Sequence, residues 1–264
     1  MSYEKIGIIG HGYVGEAITQ NIVPPFDPVI LDPAKGFKST YDDVKSCSGI
    51  FVCVPSPQGA DGYCDTSIIE DVLTNLQGYT GTIISKVTAP PIFYESWSKR
   101  LPNLVYVPEF LRAESSVLDF ARTEWIIVGG TVVAYQREAA RIIGLIQPDI
   151  KSVEYCDIGQ AAFVKYAINS FLATKVVFMN ELSQLADSHN YDWKHKSYLI
   201  KMDRRIGDSH TQVPGPDGQY GFGGACFPKD TEALLKYAED RGINLNTLNA
   251  AVKKNTLLRL TKPK

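Results

Sequence analysis

The sequence predicts an α/β chain: a doubly wound parallel sheet, then an all-helical region built on one long helix. Two observations carry that prediction. From Glu4 to about Cys156 short apolar runs alternate with amphipathic stretches, the pattern of β-α-β units around a parallel sheet. From Asp157 to about Ser188 the chain holds no proline and one glycine, Gly159, while apolar residues recur at helical spacing, as at Phe163, Ala167, Phe171, Phe178, Leu182 and Leu185. At 264 residues there is room for two modest domains, expected at 1–156 and 157–264.

Taken in order, strands are expected at 5–9, 29–31, 50–54, 82–85, 104–107 and 125–128, each a short run rich in β-branched and apolar residues. Helices are expected at 14–21, 67–76, 91–99 and 134–146; Ser67 and Glu70 have capping-box spacing, and Pro91 suits a first helical turn. A helix from 157 to 188 would be on the order of 45–50 Å long, more than a small domain needs for its own core, so its broad apolar face is expected to meet a second copy. A shorter helix at 194–202 follows, then a Gly- and Pro-rich loop at 213–228 and helices at 230–241 and 245–258.

The formal charge is −2 and the sequence pI about 6.1, so no positive field argues for nucleic acid or an anionic membrane, and small-molecule chemistry is the better starting point. The five cysteines are scattered without a C-x-x-C pair and read as thiols of a reducing compartment. The N-terminus offers no signal-peptide pattern, and no apolar run is expected to reach the ~18 residues of a membrane span, so the expected location is cytoplasmic. His11, His189, His195 and His210 have no metal-ligand spacing, and no metal is expected.

Three motifs can carry chemistry. Gly10-His11-Gly12-Tyr13-Val14-Gly15 is a G-x-G-x-x-G between a strand and a helix, the Rossmann-type arrangement that seats a pyrophosphate on a helix N-terminus. Asp32, twenty residues after Gly12 at the end of the next strand, is placed to hydrogen-bond the adenosine ribose, which favours NAD over NADP. Lys165 and Asn169, at i and i+4, share a helix face and could point at a substrate hydroxyl, although taken alone they also fit a solvated stripe. In 221–230 three glycines precede Cys226 at a helix start beside Lys229, surroundings that suit a nucleophilic thiol; the plainer alternative is a flexible turn with an inert one.

These motifs, in this order, resemble the UDP-glucose/GDP-mannose dehydrogenase family, NAD enzymes that oxidise a nucleotide sugar from the C6 alcohol to the carboxylate. The resemblance runs from about Lys5 to Asn255, and also rests on the segments Val52-Cys53-Val54-Pro55-Ser56-Pro57, Lys86-Val87-Thr88-Ala89-Pro90, Pro108-Glu109-Phe110-Leu111-Arg112, Phe178-Met179-Asn180-Glu181 and Asp203-Arg204-Arg205-Ile206-Gly207. It implies that Cys226 captures the intermediate aldehyde and carries a thioester, and that Glu109 activates the hydrolytic water. Lys165, with Asn169 and Asp230, would handle the alcohol proton or the oxyanion. Gly10, Gly12, Tyr13, Val14, Gly15, Asp32, Val54, Pro55, Thr88 and Lys229 would hold NAD; Phe110, Leu111, Tyr220, Phe222 and Gly223 would hold the substrate, with Arg205 reaching it from the partner of a homodimer formed through the long helix.

The sequence departs from the family pattern at Ala113, where a glutamate is usual, at Val87-Thr88 in place of a Ser-Thr pair, and in a longer segment between Arg205 and Cys226 that holds Pro214, Gly215, Pro216 and Asp217. The family's C-terminal domain would begin roughly where this chain stops. Two alternatives therefore stand beside the leading reading: a two-electron β-hydroxyacid-type dehydrogenase that needs no thiol, and an NAD- or sugar-nucleotide-binding subunit without turnover.

Overall fold

A computed structural model of the chain describes residues 4–112 and 115–263, and Ala113, with the expectation attached to it, lies outside them. Two compact units emerge, Met1–Pro57 with Cys64–Lys165, and Gln58–Tyr63 with Tyr166–Lys264.

The first unit is a seven-stranded sheet in the order β2-β1-β3-β4-β5-β6-β7. Its strands are β1 (Glu4–Ile9), β2 (Phe26–Leu31), β3 (Gly49–Val52), β4 (Thr82–Ser85), β5 (Leu104–Tyr106), β6 (Trp125–Gly129) and β7 (Ser152–Cys156). Pairing is parallel from β2 to β5 and again between β6 and β7. The sheet is not parallel throughout, however: β6 meets β5 antiparallel at Tyr106 and Gly129, because the connection between them turns through the six-residue α5 (Ser116–Ala121) instead of a full crossover helix.

Side chains alternate across the strands and give two cores. Ile9, Val52, Ile83 and Leu104 face α3 (Ser67–Asn75) and α4 (Pro91–Arg100) through Leu73, Tyr94 and Trp97. Ile8, Phe51, Ile84 and Val105 face α1 (Tyr13–Asn21) and α6 (Val133–Ile146) through Ile18 and Ile142. Helices thus cover both faces, which is why the central strands read as continuous apolar runs. The edge strand β7, Ser-Val-Glu-Tyr-Cys, has no such run because most of it is exposed, and the apolar pattern misses it.

Other differences are local. Cys53 directly follows β3 instead of lying within a strand. The capping box expected at Ser67 does not form: Thr66 is the N-cap, its hydroxyl 2.8 Å from Glu70, and Ser67 is already helical. A capping box does open the unforeseen α2 (Tyr41–Lys45), between Thr40 and Asp43.

The second unit is helical: most of α7 (Ile158–Ser188), then α8 (Trp193–Lys201), α9 (Phe227–Glu239) and α10 (Asn246–Arg259). One core joins Ala173 and Val177 to Phe222, Ala251 and Leu258; another joins Tyr166 to Ala233, Leu234 and Leu248. Phe171, Phe178 and Leu185, seven residues apart on α7, stay exposed. Contrary to expectation, α7 holds an 18-residue window of mean hydropathy 1.2, enough by length and composition to cross a bilayer, but half of it is buried within the fold.

A pair of glycines tests the packing of the first unit. A Cβ at Gly15 would lie 2.2 Å from the Gly10 carbonyl oxygen, whereas one at Gly144, in α6, would meet nothing within 4 Å. Gly15→Ala is expected to cost more than about 2 kcal/mol, and Gly144→Ala to gain roughly 0.5–1 kcal/mol, in urea unfolding.

Candidate active site

The cofactor turn is built by close approach. Gly10 adopts φ +87°, and a Cβ there would lie 2.9 Å from the backbone of Cys53 and Val54. Gly15 lets α1 descend onto that turn, while Gly12, the N-cap of α1, faces open space in which a Cβ would meet nothing within 4 Å. The Asp32 carboxylate accepts the His11 backbone N–H at 2.7 Å and the Lys35 N–H at 3.3 Å, so its orientation is fixed at the end of β2. A bare helix N-terminus with a fixed acid beside it suits the pyrophosphate and ribose of NAD. Val54 packs on the core at the turn, Pro55 is exposed, and Ser56 donates to the Thr88 carbonyl at 2.8 Å, tying together the loops that follow β3 and β4.

At the carboxyl end of β5 lies Glu109, only 7% exposed. One of its oxygens accepts the Leu111 N–H at 2.7 Å, and the other lies 3.4 Å from the Lys165 ammonium, which also donates to the Glu109 carbonyl. Tyr13 approaches the same carboxylate at 3.5 Å. The ammonium sits 4.9 Å from the centre of the Phe110 ring, which in turn packs at 5.2 Å on Trp125. The arrangement joins an acid or base to a cation that can stabilise developing negative charge.

The second unit holds the other group. Cys226 is the N-cap of α9 and its carbonyl accepts the Asp230 N–H, so thiol and carboxylate stand one helical turn apart. Asp230 is 1% exposed and bound on both oxygens, at 2.6 Å by the Asn169 amide and at 2.6 Å by Lys229. The glycine loop before Cys226 is clamped: Asn180 accepts the Gly221 N–H at 3.1 Å, and Asn255 both accepts the Phe222 N–H at 2.7 Å and donates to its carbonyl at 3.0 Å. Phe222 is buried and Tyr220 packs beside it, whereas Arg205 is exposed and paired with Asp203. Gly223 leaves room for Arg259, which would stand 2.8 Å from a Cβ there.

Residue-by-residue reasoning did not single out Lys86, Asn180 or Asn255 as parts of a site. Lys86 follows β4 directly and is 6% exposed; burial pushes its ammonium down to about 8, against the pull of Glu109 and Cys53. Burial likewise drives the Cys53 thiol up to about 12. Lys86 opens a segment that carries the family resemblance, but its own residue signal is no more than a cation at the point where an apolar strand ends.

Two predictions follow from these contacts. Between about pH 8 and 9 the unfolded chain holds the Lys86 proton and the folded chain releases it, so stability should rise with pH; above about 9 the retained Cys53 proton opposes the rise. Urea midpoints across this window should rise more for the native chain than for Lys86→Met, in which the protons retained by Cys47, Cys53 and Cys156 turn the trend downward as pH approaches 9. Asn255→Ala leaves both backbone groups of Phe222 buried without their partner and is expected to cost about 2–3 kcal/mol, with faster amide exchange confined first to 221–224.

The chain is similar to known proteins in both sequence and fold. Residues 34–144 match the NAD binding domain of the UDP-glucose/GDP-mannose dehydrogenase family, and residues 159–257 match its central domain, together well over half of the chain. A UDP-glucose 6-dehydrogenase of Rickettsia conorii is 31% identical over 83% of this chain and 51% of its own length, and one of Rhizobium meliloti is 28% identical over 95% and 67%. The chain therefore spans about half to two thirds of these relatives. In fold it is similar to a UDP-glucose dehydrogenase of Pyrobaculum islandicum, with TM-score 0.77, 22% identity and coverage of 97% and 68%. It is also similar to a 3-hydroxyisobutyrate dehydrogenase of Mycobacterium tuberculosis, with TM-score 0.73, 16% identity and coverage of 95% and 92%. With both domain matches in chain order, and NAD as the cofactor that the first implies, the chain belongs to the UDP-glucose/GDP-mannose dehydrogenase family.

Proposed function

We propose that the chain carries the catalytic groups of an NAD-dependent nucleotide-sugar 6-dehydrogenase, acting on a UDP-glucose-like sugar and giving a UDP-glucuronate-type product. We place it in the cytoplasm as a homodimer formed through α7. The observation that carries this reading is the buried Asp230, held by Asn169 and Lys229 one turn beyond Cys226 at the start of α9. A thiol at the start of a helix whose first turn also holds an ordered carboxylate supports a step through sulfur, which a two-electron dehydrogenase does not require.

In the proposed sequence, Lys165 takes the proton from the C6 hydroxyl or holds the resulting oxygen anion. NAD, when bound, supplies the hydride acceptor. Cys226 Sγ then bonds to C6 of the aldehyde, and loss of a second hydride leaves a thioester. Water adds its oxygen to that carbon, the C–S bond breaks, one water proton passes to Glu109, and the sulfur regains a proton. Asn169 and Asp230 orient the oxygen on C6, and the Asn180 and Asn255 clamps keep the loop before Cys226 in one conformation. The second reading, a two-electron hydroxyacid oxidation, draws on the fold shared with 3-hydroxyisobutyrate dehydrogenase and needs only Lys165 and Asn169.

Purified chain given NAD and a panel of nucleotide sugars should release about two NADH per sugar oxidised, and Cys226→Ala should lower acid formation at least about a thousandfold. One NADH per substrate with Cys226→Ala fully active would establish the second reading. NAD binding without any turnover would mark a subunit that only binds.

A further inference from the structure

In the second unit, the chain that leaves α8 makes a turn at 203–211, and a lysine from α7 holds it. The Lys175 ammonium donates to the backbone carbonyls of Ile206 at 2.8 Å, Gly207 at 3.4 Å and Ser209 at 2.5 Å. An ammonium has three protons, and here all three are directed at one turn. The turn adds bonds of its own. The Asp203 carbonyl accepts the Ile206 N–H at 2.9 Å and the Gly207 N–H at 3.3 Å, Gly207 takes φ +71°, and the buried Thr211 hydroxyl donates to the Asp208 carbonyl at 2.9 Å.

Within this turn His210 stands at φ +62°, one of two residues other than glycine with a positive φ among those described. Such a backbone persists only where its surroundings enforce it. The contacts on either side do so: Lys175 fixes the Ser209 carbonyl before it, and Thr211 is tied to Asp208 after it. Held this way, the imidazole lies against the Phe227 ring, with centroids 5.3 Å apart, and Phe227 meets Phe222 edge-on at 6.1 Å. Cys226 stands in the chain between these two phenylalanines, and Phe227 is the first residue of α9. The Asn180 and Asn255 clamps hold the backbone before the thiol; the His210 ring bears on the residue after it.

We propose that Lys175 is a positioning residue for Cys226, acting through the turn at 206–209 and the His210 ring on Phe227. The proposal rests on the nucleophilic role given to Cys226 above, and Lys175 itself exchanges no proton or bond with the substrate. Without the ammonium, His210 relaxes out of the left-handed region and Phe227 loses the ring that bears on it. The start of α9 then gains freedom, and the sulfur samples a wider set of positions. A nucleophile less well oriented reacts more slowly with a bound substrate but is open to a small reagent that attacks from any side.

Alkylation by iodoacetamide, read at each cysteine by peptide mass spectrometry, tests this alongside steady-state kinetics. In Lys175→Met, Cys226 should be alkylated about three- to tenfold faster while kcat falls about tenfold, with Cys47 and Cys53 of the first unit and the affinity for NAD unchanged. His210→Asn, which tolerates a left-handed backbone but lacks the ring, should do the same, and the double variant should be no worse than either single one. Lys175→Arg, which keeps donors for the three carbonyls, should restore most of the native behaviour. Native alkylation of Cys226 in Lys175→Met and His210→Asn, or equal acceleration at every cysteine, would overturn the proposal. Multiplying effects in the double variant would overturn the path through His210. Acid formation undiminished in Cys226→Ala would instead remove the nucleophilic reading, and the alkylation rates would still decide whether Lys175 positions the thiol.

Discussion

How closely β1, α1 and β3 approach one another around Gly10 decides what can be built at the carboxyl edge of the sheet. The Gly10 N–H reaches the Leu31 carbonyl at 3.0 Å and the Cys53 N–H reaches the Ile9 carbonyl at 2.7 Å, so three strand ends are gathered within one turn. That turn exists only because Gly10 takes a positive φ and Gly15 lacks a Cβ. Once it exists, the N-terminus of α1, the fixed carboxylate of Asp32 and the loops that follow β3 and β4 take their places from it.

The second constraint is electrostatic. Glu109 and Asp230 are both buried carboxylates, and each is neutralised by a lysine from its own unit, Lys165 and Lys229. A buried charge without its partner costs several kcal/mol, so local neutralisation lets each group be set before any ligand arrives. Lys229 shows the consequence for the thiol. Its nearness in sequence made it a natural cation for Cys226, yet its ammonium lies on Asp230 at 2.6 Å. The start of α9 itself brings positive charge to Cys226, its N-cap residue.

Much of the fold was legible because the central strands are buried on both faces and therefore spelled in unbroken apolar letters, as in Ile83-Ile84 and Ile50-Phe51-Val52. The glycine-rich turns were legible for a related reason: backbone that must approach backbone excludes every other residue. What escaped notice depends on contacts between residues distant in sequence. β7 is exposed and has no pattern of its own; β6 reverses direction because of the shape of a short connection. A lysine after a strand is ordinarily solvated, and only the loop at 108–111 folding over it makes Lys86 a buried cation. Asn255 is one polar residue on an unremarkable helix until the loop at 221–224 is laid against it. Phe222, expected to touch substrate, packs in a core with Ala173, Val177 and Leu258 and so anchors the loop.

The two proposed readings differ in what separates oxidation to a carbonyl from oxidation to an acid. The first requires a hydride acceptor, a group for the hydroxyl proton and an oriented substrate, and in the proposed readings Lys165 and Asn169 would supply the last two. The second must keep hold of the carbonyl carbon after one hydride has gone, which calls for a nucleophile whose position does not drift between the two transfers. In the proposed reaction that constancy would fall to the loop before Cys226. Two asparagines satisfy its backbone, Gly221 sits at φ +72° against Asn255, and Arg259 crosses Gly223 to reach Asp217 at 2.7 Å. A loop that only had to turn could have remained solvated. Two asparagines that hold the backbone of Gly221 and Phe222, with Arg259 laid across Gly223, would serve the proposed reaction, in which the sulfur of Cys226 has to be found in the same place twice.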